Sequence, residues 1–243
     1  MGGLFKWGQP FKPDNPINDL LSLESEVTTP ERVQSAYEVL QVILGRVRQG
    51  LASGISSPRE KLKLVYDVMR SIGITFEKQN DSSFSGGLVE KRLDCDTSSF
   101  VVMAIAHEMG WPVYPVIAPS HLFVRWDDRK GTLFNMDFGN SYTDNYYENY
   151  FGIPDLPLEK GVYLRNLNRE EVEGLFLSNR GVVKYDQGDL QGALSDYNKA
   201  LELNPGDAEA YNNRGVVKYE RGDLEGATKD FARAIELDPR LSR

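Results

Sequence analysis

Cys95 is the only cysteine in 243 residues, set between two aspartates in the stretch RLDCDTSSF, Arg92 to Phe100. A single thiol cannot close an internal disulfide, so Cys95 is either a small buried hydrophobe or a nucleophile. The reactive species of a cysteine is its thiolate, which is scarce at neutral pH when the pKa is near its ordinary value of about 8.5. Activation needs a histidine that exchanges protons with the sulfur and a third group that orients the histidine. His121 and Asp137 are the candidates for those two roles. Acyl transfer from, or hydrolysis of, an amide through a thioester is the chemistry such a set performs.

These three residues have to be positioned by their elements. From Cys95 to Met109 the sequence is apolar around its circumference, then stops at Gly110 with Pro112 just beyond. The pattern predicts a buried central helix with Cys95 in its first turn, where the helix dipole favours a negative charge. VYPVIA, HLFVRW and TLFNMDF follow as strands, the last two joined by the turn DDRKG. If Asp127 to Gly131 is the hairpin loop, Trp126 faces Thr132, Val124 faces Phe134, Leu122 faces Met136 and His121 faces Asp137. That register gathers Leu122, Val124, Trp126, Phe134, Met136 and Phe138 on one face and His121, Arg125, Asn135 and Asp137 on the other. A slip of one residue would mix both faces.

Upstream, Thr29-Pro30 and Ser57-Pro58-Arg59-Glu60 are helix starts, and the second helix presents Leu62, Val65, Tyr66 and Met69 on one face before ending at Gly73. A short strand-like ITF leads into a polar loop, EKQNDSSFSGGLVEKR, that delivers the chain to Cys95. Downstream, the chain repeats itself with a period of 34 residues: NRGVVKY occurs at Asn179 to Tyr185 and again at Asn213 to Tyr219, and Pro205 recurs as Pro239. Small Gly181 and Gly215 are expected to let each first helix approach Ala193 and Ala227 of the second.

That period and pattern resemble the tetratricopeptide (TPR) family, two antiparallel helices per repeat, over residues 174–207 and 208–241. The first repeat is expected to dock on what precedes it, since two repeats leave apolar faces uncovered. The stretch DCDTSSFVVMAIAHEMGWPV, with HLFVRW and NMDFG after it, resembles the transglutaminase-like fold, a relative of the papain-like cysteine proteases. The resemblance covers about residues 62–138 and implies a catalytic Cys95, His121 and Asp137. The expected architecture is an α+β transglutaminase-like domain, residues 1–165, with its cysteine helix packed on an antiparallel sheet, followed by all-α TPR hairpins in residues 166–243. Many members carry glycine just before the cysteine, whereas Asp94 and Asp96 flank it here and oppose a thiolate. The oxyanion donors expected are the backbone N–H of Cys95 and a second from residues 76–87.

Two readings of function stand against each other. In one, the chain is a cysteine hydrolase, protease or acyltransferase acting on a protein or peptide. In the other, the triad is a relic and the chain is a catalytically weak or inactive scaffold whose TPR repeats bind a protein partner. His107 lies three turns along the helix from Cys95, too far to serve it, and no cysteine or histidine spacing supports a metal site. No cofactor is expected. A net charge of −8, with no basic stripe, argues against nucleic acid. The absence of a long apolar run argues against a membrane span, and with no signal-peptide pattern at the start a cytoplasmic location is expected. The uncapped last repeat is a surface through which a dimer could form.

Overall fold

From Phe100 to Ala106 every side chain is buried, and a helix that is apolar all round must be covered all round. The structure, a computed structural model, describes residues 12, 14–77 and 83–242. It begins with α1 (Pro16–Glu24), α2 (Pro30–Leu51), α3 (Pro58–Ser71), β1 (Thr75–Phe76), α4 (Phe84–Glu90) and β2 (Arg92–Leu93). The central helix α5 (Cys95–Met109) leads into β3 (Val113–Ala118), β4 (His121–Asp127), β5 (Leu133–Asp137) and β6 (Asn140–Tyr142), then α6 (Asp144–Phe151) and α7 (Asp155–Glu159). Four long helices finish the chain: α8 (Arg169–Asp186), α9 (Leu190–Leu203), α10 (Ala208–Glu220) and α11 (Leu224–Leu237), with a 3-10 turn at Pro239–Ser242. No helix among the described residues is long and apolar enough to cross a membrane.

The first three helices share one start device, a polar cap followed by proline. Asn15, Thr29 and Ser57 accept the N–H groups of Ile17, Arg32 and Glu60, and each proline occupies a position whose missing N–H costs nothing. α1 is an addition to the elements expected from sequence, as are α4 inside the stretch expected to be loop and β2 at its end. Ser83 caps α4, and Phe84 and Leu88, one turn apart, are both buried. β2 pairs in parallel with β1.

β3 to β6 form one antiparallel sheet in sequence order. Leu122, Val124, Trp126, Phe134 and Met136 face α5 and join its core. Phe123, Val116 and Ala118 face the other way, into a second core with Tyr147 of α6 and Val162, Tyr163, Ala208 and Leu237. Phe123 and Tyr147 stack with ring centroids 4.0 Å apart. On the same side Arg125, nearly inaccessible, is satisfied by Asn135, by the Leu164 carbonyl and by Asp144.

The hairpin register differs from expectation by two residues. Val124 pairs with Met136, Trp126 with Phe134 and Asp127 with Leu133. Asp127 remains in the strand because Asp128 closes the loop, its carboxylate accepting N–H bonds from Lys130 at 2.8 Å and Thr132 at 2.9 Å. A two-residue shift keeps every side chain on its face, since the side-chain period is two. It moves His121 one pleat beyond the residue level with Asp137, so the two are diagonal neighbours and not opposed. Phe138 is also displaced: with Gly139 it forms the turn between the paired Asp137 and Asn140, at φ 47° and 85°, the sign that a two-residue hairpin turn of the primed type requires.

The first repeat docks through α8. Phe176 meets Phe100 edge-on at 4.5 Å and shares the α5 core. Arg180 pairs bidentately with Asp196 of α9 and also bonds the Leu23 carbonyl and Glu26 beyond α1. Thirty-four residues on, Arg214 repeats the pair with Asp230 and bonds Asn198 of α9. The end of α1 therefore holds, toward the first repeat, the place that α9 holds toward the second. Gly181 and Gly215 lie directly against aromatic rings of the second helices: a Cβ there would stand 2.8 Å from Tyr197 and 2.7 Å from Phe231. Replacing Phe176 by alanine should cost about 3–5 kcal/mol, read as a lower urea midpoint with unchanged slope. Leu133→Ala, at a 56% exposed side chain, should shift it by less than about 0.5 kcal/mol.

Candidate active site

Cys95 occupies the first helical position of α5, and Asp94 is its cap. The Asp94 carboxylate accepts Thr97 N–H at 2.9 Å and the Thr97 hydroxyl at 2.7 Å, while Thr97 Oγ1 accepts the N–H of Asp94 at 3.0 Å. Asp94 is thus spent on the helix start, a complete reciprocal cap. Asp96 has a different partner. The half-buried Cys95 thiol donates to Asp96 Oδ1 at 3.4 Å, and Asn179 of α8 donates to Asp96 Oδ2 at 3.2 Å.

This neighbourhood holds the sulfur as a neutral thiol. Burial pushes its pKa well above the ordinary range and the Asp96 charge adds to that, with Asp94 contributing less. A backbone hydrogen bond from Leu122 acts in the opposite sense. Asp96 is itself pushed up to about 6, first by burial and then by Asp94, against hydrogen bonds from Asn179 and Cys95 that favour its charged form. Each effect follows from the cost of placing negative charge in a poorly solvated pocket that already contains one.

His121 begins β4 and Asp137 ends β5. His121 Nε2 lies 2.7 Å from Asp137 Oδ2, with both side chains mostly buried. The diagonal register leaves their Cβ atoms further apart than direct opposition would, and the reach of the imidazole closes the gap. With Nε2 engaged by a carboxylate, Nδ1 is the ring nitrogen left to exchange a proton. Aromatic rings box the imidazole: Phe151 at 5.5 Å, Tyr147 at 6.1 Å, Phe123 at 6.2 Å and Phe138 at 6.4 Å between centroids.

Cys95 and His121 both open into one cavity of about 620 Å³. Asp137 lies behind His121, outside the lining. The far wall belongs to the repeats: Asn179 on α8, Asp207 and Glu209 at the start of α10, and Asn213. Asn179 and Asn213 are the same position in successive repeats. Asp207 caps α10 by accepting Ala210 N–H at 2.9 Å, and burial pushes its pKa up to about 6. Glu209 crosses to the turn between β3 and β4, where Oε1 accepts the N–H of Ser120 at 2.7 Å and its hydroxyl at 3.0 Å. Ser120 sits at φ 49°, a left-handed conformation that costs a non-glycine residue about 1–2 kcal/mol.

Other candidates lie elsewhere. His107 Nε2 is 3.6 Å from Asp14, away from the cavity. Trp111 and Trp126 pack together with centroids 6.1 Å apart. The tyrosine-rich stretch SYTDNYYENYF, Ser141 to Phe151, lies in β6 and α6, and its Tyr142, Tyr147 and Phe151 pack in the second core. Within the region expected to give a second oxyanion donor, residues 78–82 lie outside the described residues. The N–H groups of Phe84 and Ser85 are taken by Glu24. Sequence reasoning did not find Asn179, Ser120 or Glu209 as members of the site. For Asn179 the recurrence of NRGVVKY was a usable signal, since its first residue, Asn179 in one copy and Asn213 in the other, lines the cavity both times.

Comparison with known proteins identifies the repeats. A TPR repeat model matches residues 181–220 and a tetratricopeptide repeat model matches residues 208–241. The C-terminal part is therefore a TPR region, which points to protein–protein interaction. No curated protein matches the chain. Among solved structures it is similar to the crystal structure of menin described as revealing the binding site for Mixed Lineage Leukemia (MLL) protein, with 16% identity over 89% of this chain and a TM-score of 0.46. The chain spans 63% of that structure's length.

The electrostatics give a pH-dependent expectation. Asp96→Asn removes the nearer charge opposing the thiolate, so alkylation of Cys95 by iodoacetamide near pH 8 should speed up by roughly three- to tenfold. Below about pH 6, where Asp96 in the wild type is itself protonated, the ratio of the two rates should fall toward one.

Proposed function

We propose that the chain is a cysteine-dependent amide hydrolase or acyltransferase of the transglutaminase-like kind, with Cys95, His121 and Asp137 in the three roles of a triad. The observation that carries this is the placement of the thiol and the imidazole in one cavity, with the ring's far nitrogen fixed by Asp137 at 2.7 Å. Asp137 holds the tautomer and stabilises the imidazolium that forms.

In the resting state the thiol proton points to Asp96, so the first event is its transfer to His121 Nδ1. The sulfur then adds to the amide carbonyl carbon, and the developing oxyanion is met by the Cys95 N–H at the start of α5. The C–N bond breaks as His121 returns the proton to the leaving amine, which gives a thioester on Cys95. Water that loses a proton to His121 adds to the thioester and expels the sulfur, which takes that proton back from His121 as a carboxylic acid is released. Hydrolysis is favoured over cross-linking because, among the described residues, none is evident that would keep water from the thioester. The TPR repeats bind the protein that carries the amide.

One observation favours the scaffold reading, in which the repeats bind a protein and the thiol is inert: burial and Asp96 both hold the sulfur protonated. The two separate in one experiment. An activated acyl ester or peptide aldehyde incubated with the protein should leave an adduct on Cys95 by mass spectrometry, absent in Cys95→Ala. An unmodified Cys95 after prolonged exposure, at a thiol reactivity that His121→Ala does not change, would sink the enzyme reading. If turnover is found, Asp137→Asn should lower kcat by about 10²- to 10⁴-fold.

A further inference from the structure

The turn that aims His121 is held from the repeats. Pro119 and Ser120 are the two residues between the paired Ala118 and His121, so the conformation of Ser120 sets the direction in which β4 begins and the imidazole leaves the backbone. Ser120 is in a left-handed conformation, and both of its donors end on one carboxylate oxygen of Glu209. A charged acceptor makes such bonds stronger than neutral ones.

Glu209 comes from a fixed platform. It lies in the first turn of α10, next to Ala208, which is buried in the second core with Phe123 and Tyr163. The same repeat is anchored at its other end: Tyr163 donates to Asp238 at 2.8 Å, Lys160 to the Glu236 carbonyl at 3.0 Å, and Arg240 to the Phe151 carbonyl at 3.0 Å. Phe151 is the ring nearest His121. The second repeat thus grips both sides of the imidazole, through the turn before it and through the aromatic box around it.

We propose that Glu209 is a positioning residue for His121, acting through Ser120, so that the second TPR repeat is part of the active centre as well as a binding module. This rests on the triad reading above. Glu209 does not touch the reacting atoms. It fixes the approach of Nδ1 to the Cys95 sulfur, where a displacement of about an ångström is enough to cost one to two orders of magnitude in rate.

The test uses the full chain and the rate of Cys95 alkylation by iodoacetamide at neutral pH, with thermal unfolding followed in parallel. Glu209→Ala should slow alkylation by at least about tenfold. Glu209→Gln, whose amide oxygen can accept the same two bonds, should restore most of the rate. Ser120→Ala, which removes one of the two bonds at an exposed side chain, should give a smaller loss. In a His121→Ala background Glu209→Ala should have no further effect. Wild-type alkylation by Glu209→Ala, or an equal fractional loss in the His121→Ala background, overturns Glu209 as a positioning residue and leaves the triad standing. Wild-type alkylation by His121→Ala itself overturns the triad, and this inference with it.

Discussion

The structure depends on one requirement, that α5 be buried on all sides. An apolar cylinder about 10 Å across cannot be covered by a single partner. One side is taken by α1 and α3, another by the inner face of the sheet, and Phe176 of α8 closes the cover at Phe100. The repeats are therefore part of the wall around α5. The start of β4, with His121, and Asn179 of α8 come to its N-terminus, where Cys95 lies.

An apolar helix with a polar first turn creates an electrostatic conflict. Asp94 resolves its share by capping, which spends both its carboxylate and its N–H on Thr97. Asp96 has no such local use. It faces the cavity, takes the thiol proton as its hydrogen bond and is shared with Asn179 from the repeats. The helix dipole and any imidazolium must therefore act against burial and a neighbouring carboxylate. Protonating Asp96, or pairing it with a cation, would relieve that opposition, and its pKa near 6 puts the first of these close to neutral pH.

The repeats keep their own internal logic while serving the first part of the chain. Arg180 with Asp196, and Arg214 with Asp230, are the same ion pair copied at a spacing of 34 residues, each bidentate, the first buried and the second partly buried. Such a pair is costly to break and contributes geometry more than net stability. What differs is the neighbour that each arginine also reaches: the end of α1 for the first repeat, α9 for the second. A short helix that caps the array in this way lets a pair of repeats stand where a longer array is the rule.

Much of this was legible in the residues, for identifiable reasons. Period-34 identity marks repeats without any knowledge of packing. The alternation in HLFVRW and LFNMD assigns each residue to a face, which put His121 and Asp137 on the same side of the sheet. Alternation repeats every two residues, however, and is blind to a shift of two, so the opposed pairing expected was wrong while the shared face was right. The deciding group was Asp128, whose loop bonds no pattern of hydrophobicity encodes. α1 and α4 were missed because each is short and begins amid polar residues. By itself, then, the sequence determined the repeats, the helix start at Cys95 and the common face of His121 and Asp137. These follow from periodicities and caps that a chain carries locally. Only the tertiary structure decided that the thiol bonds Asp96, that the imidazole reaches Asp137 across a diagonal, and that Asn179 and Glu209 close the cavity. Apart from the thiol's bond to its chain neighbour Asp96, those contacts join residues from 16 to 89 positions apart, and their existence depends on how whole elements dock around α5.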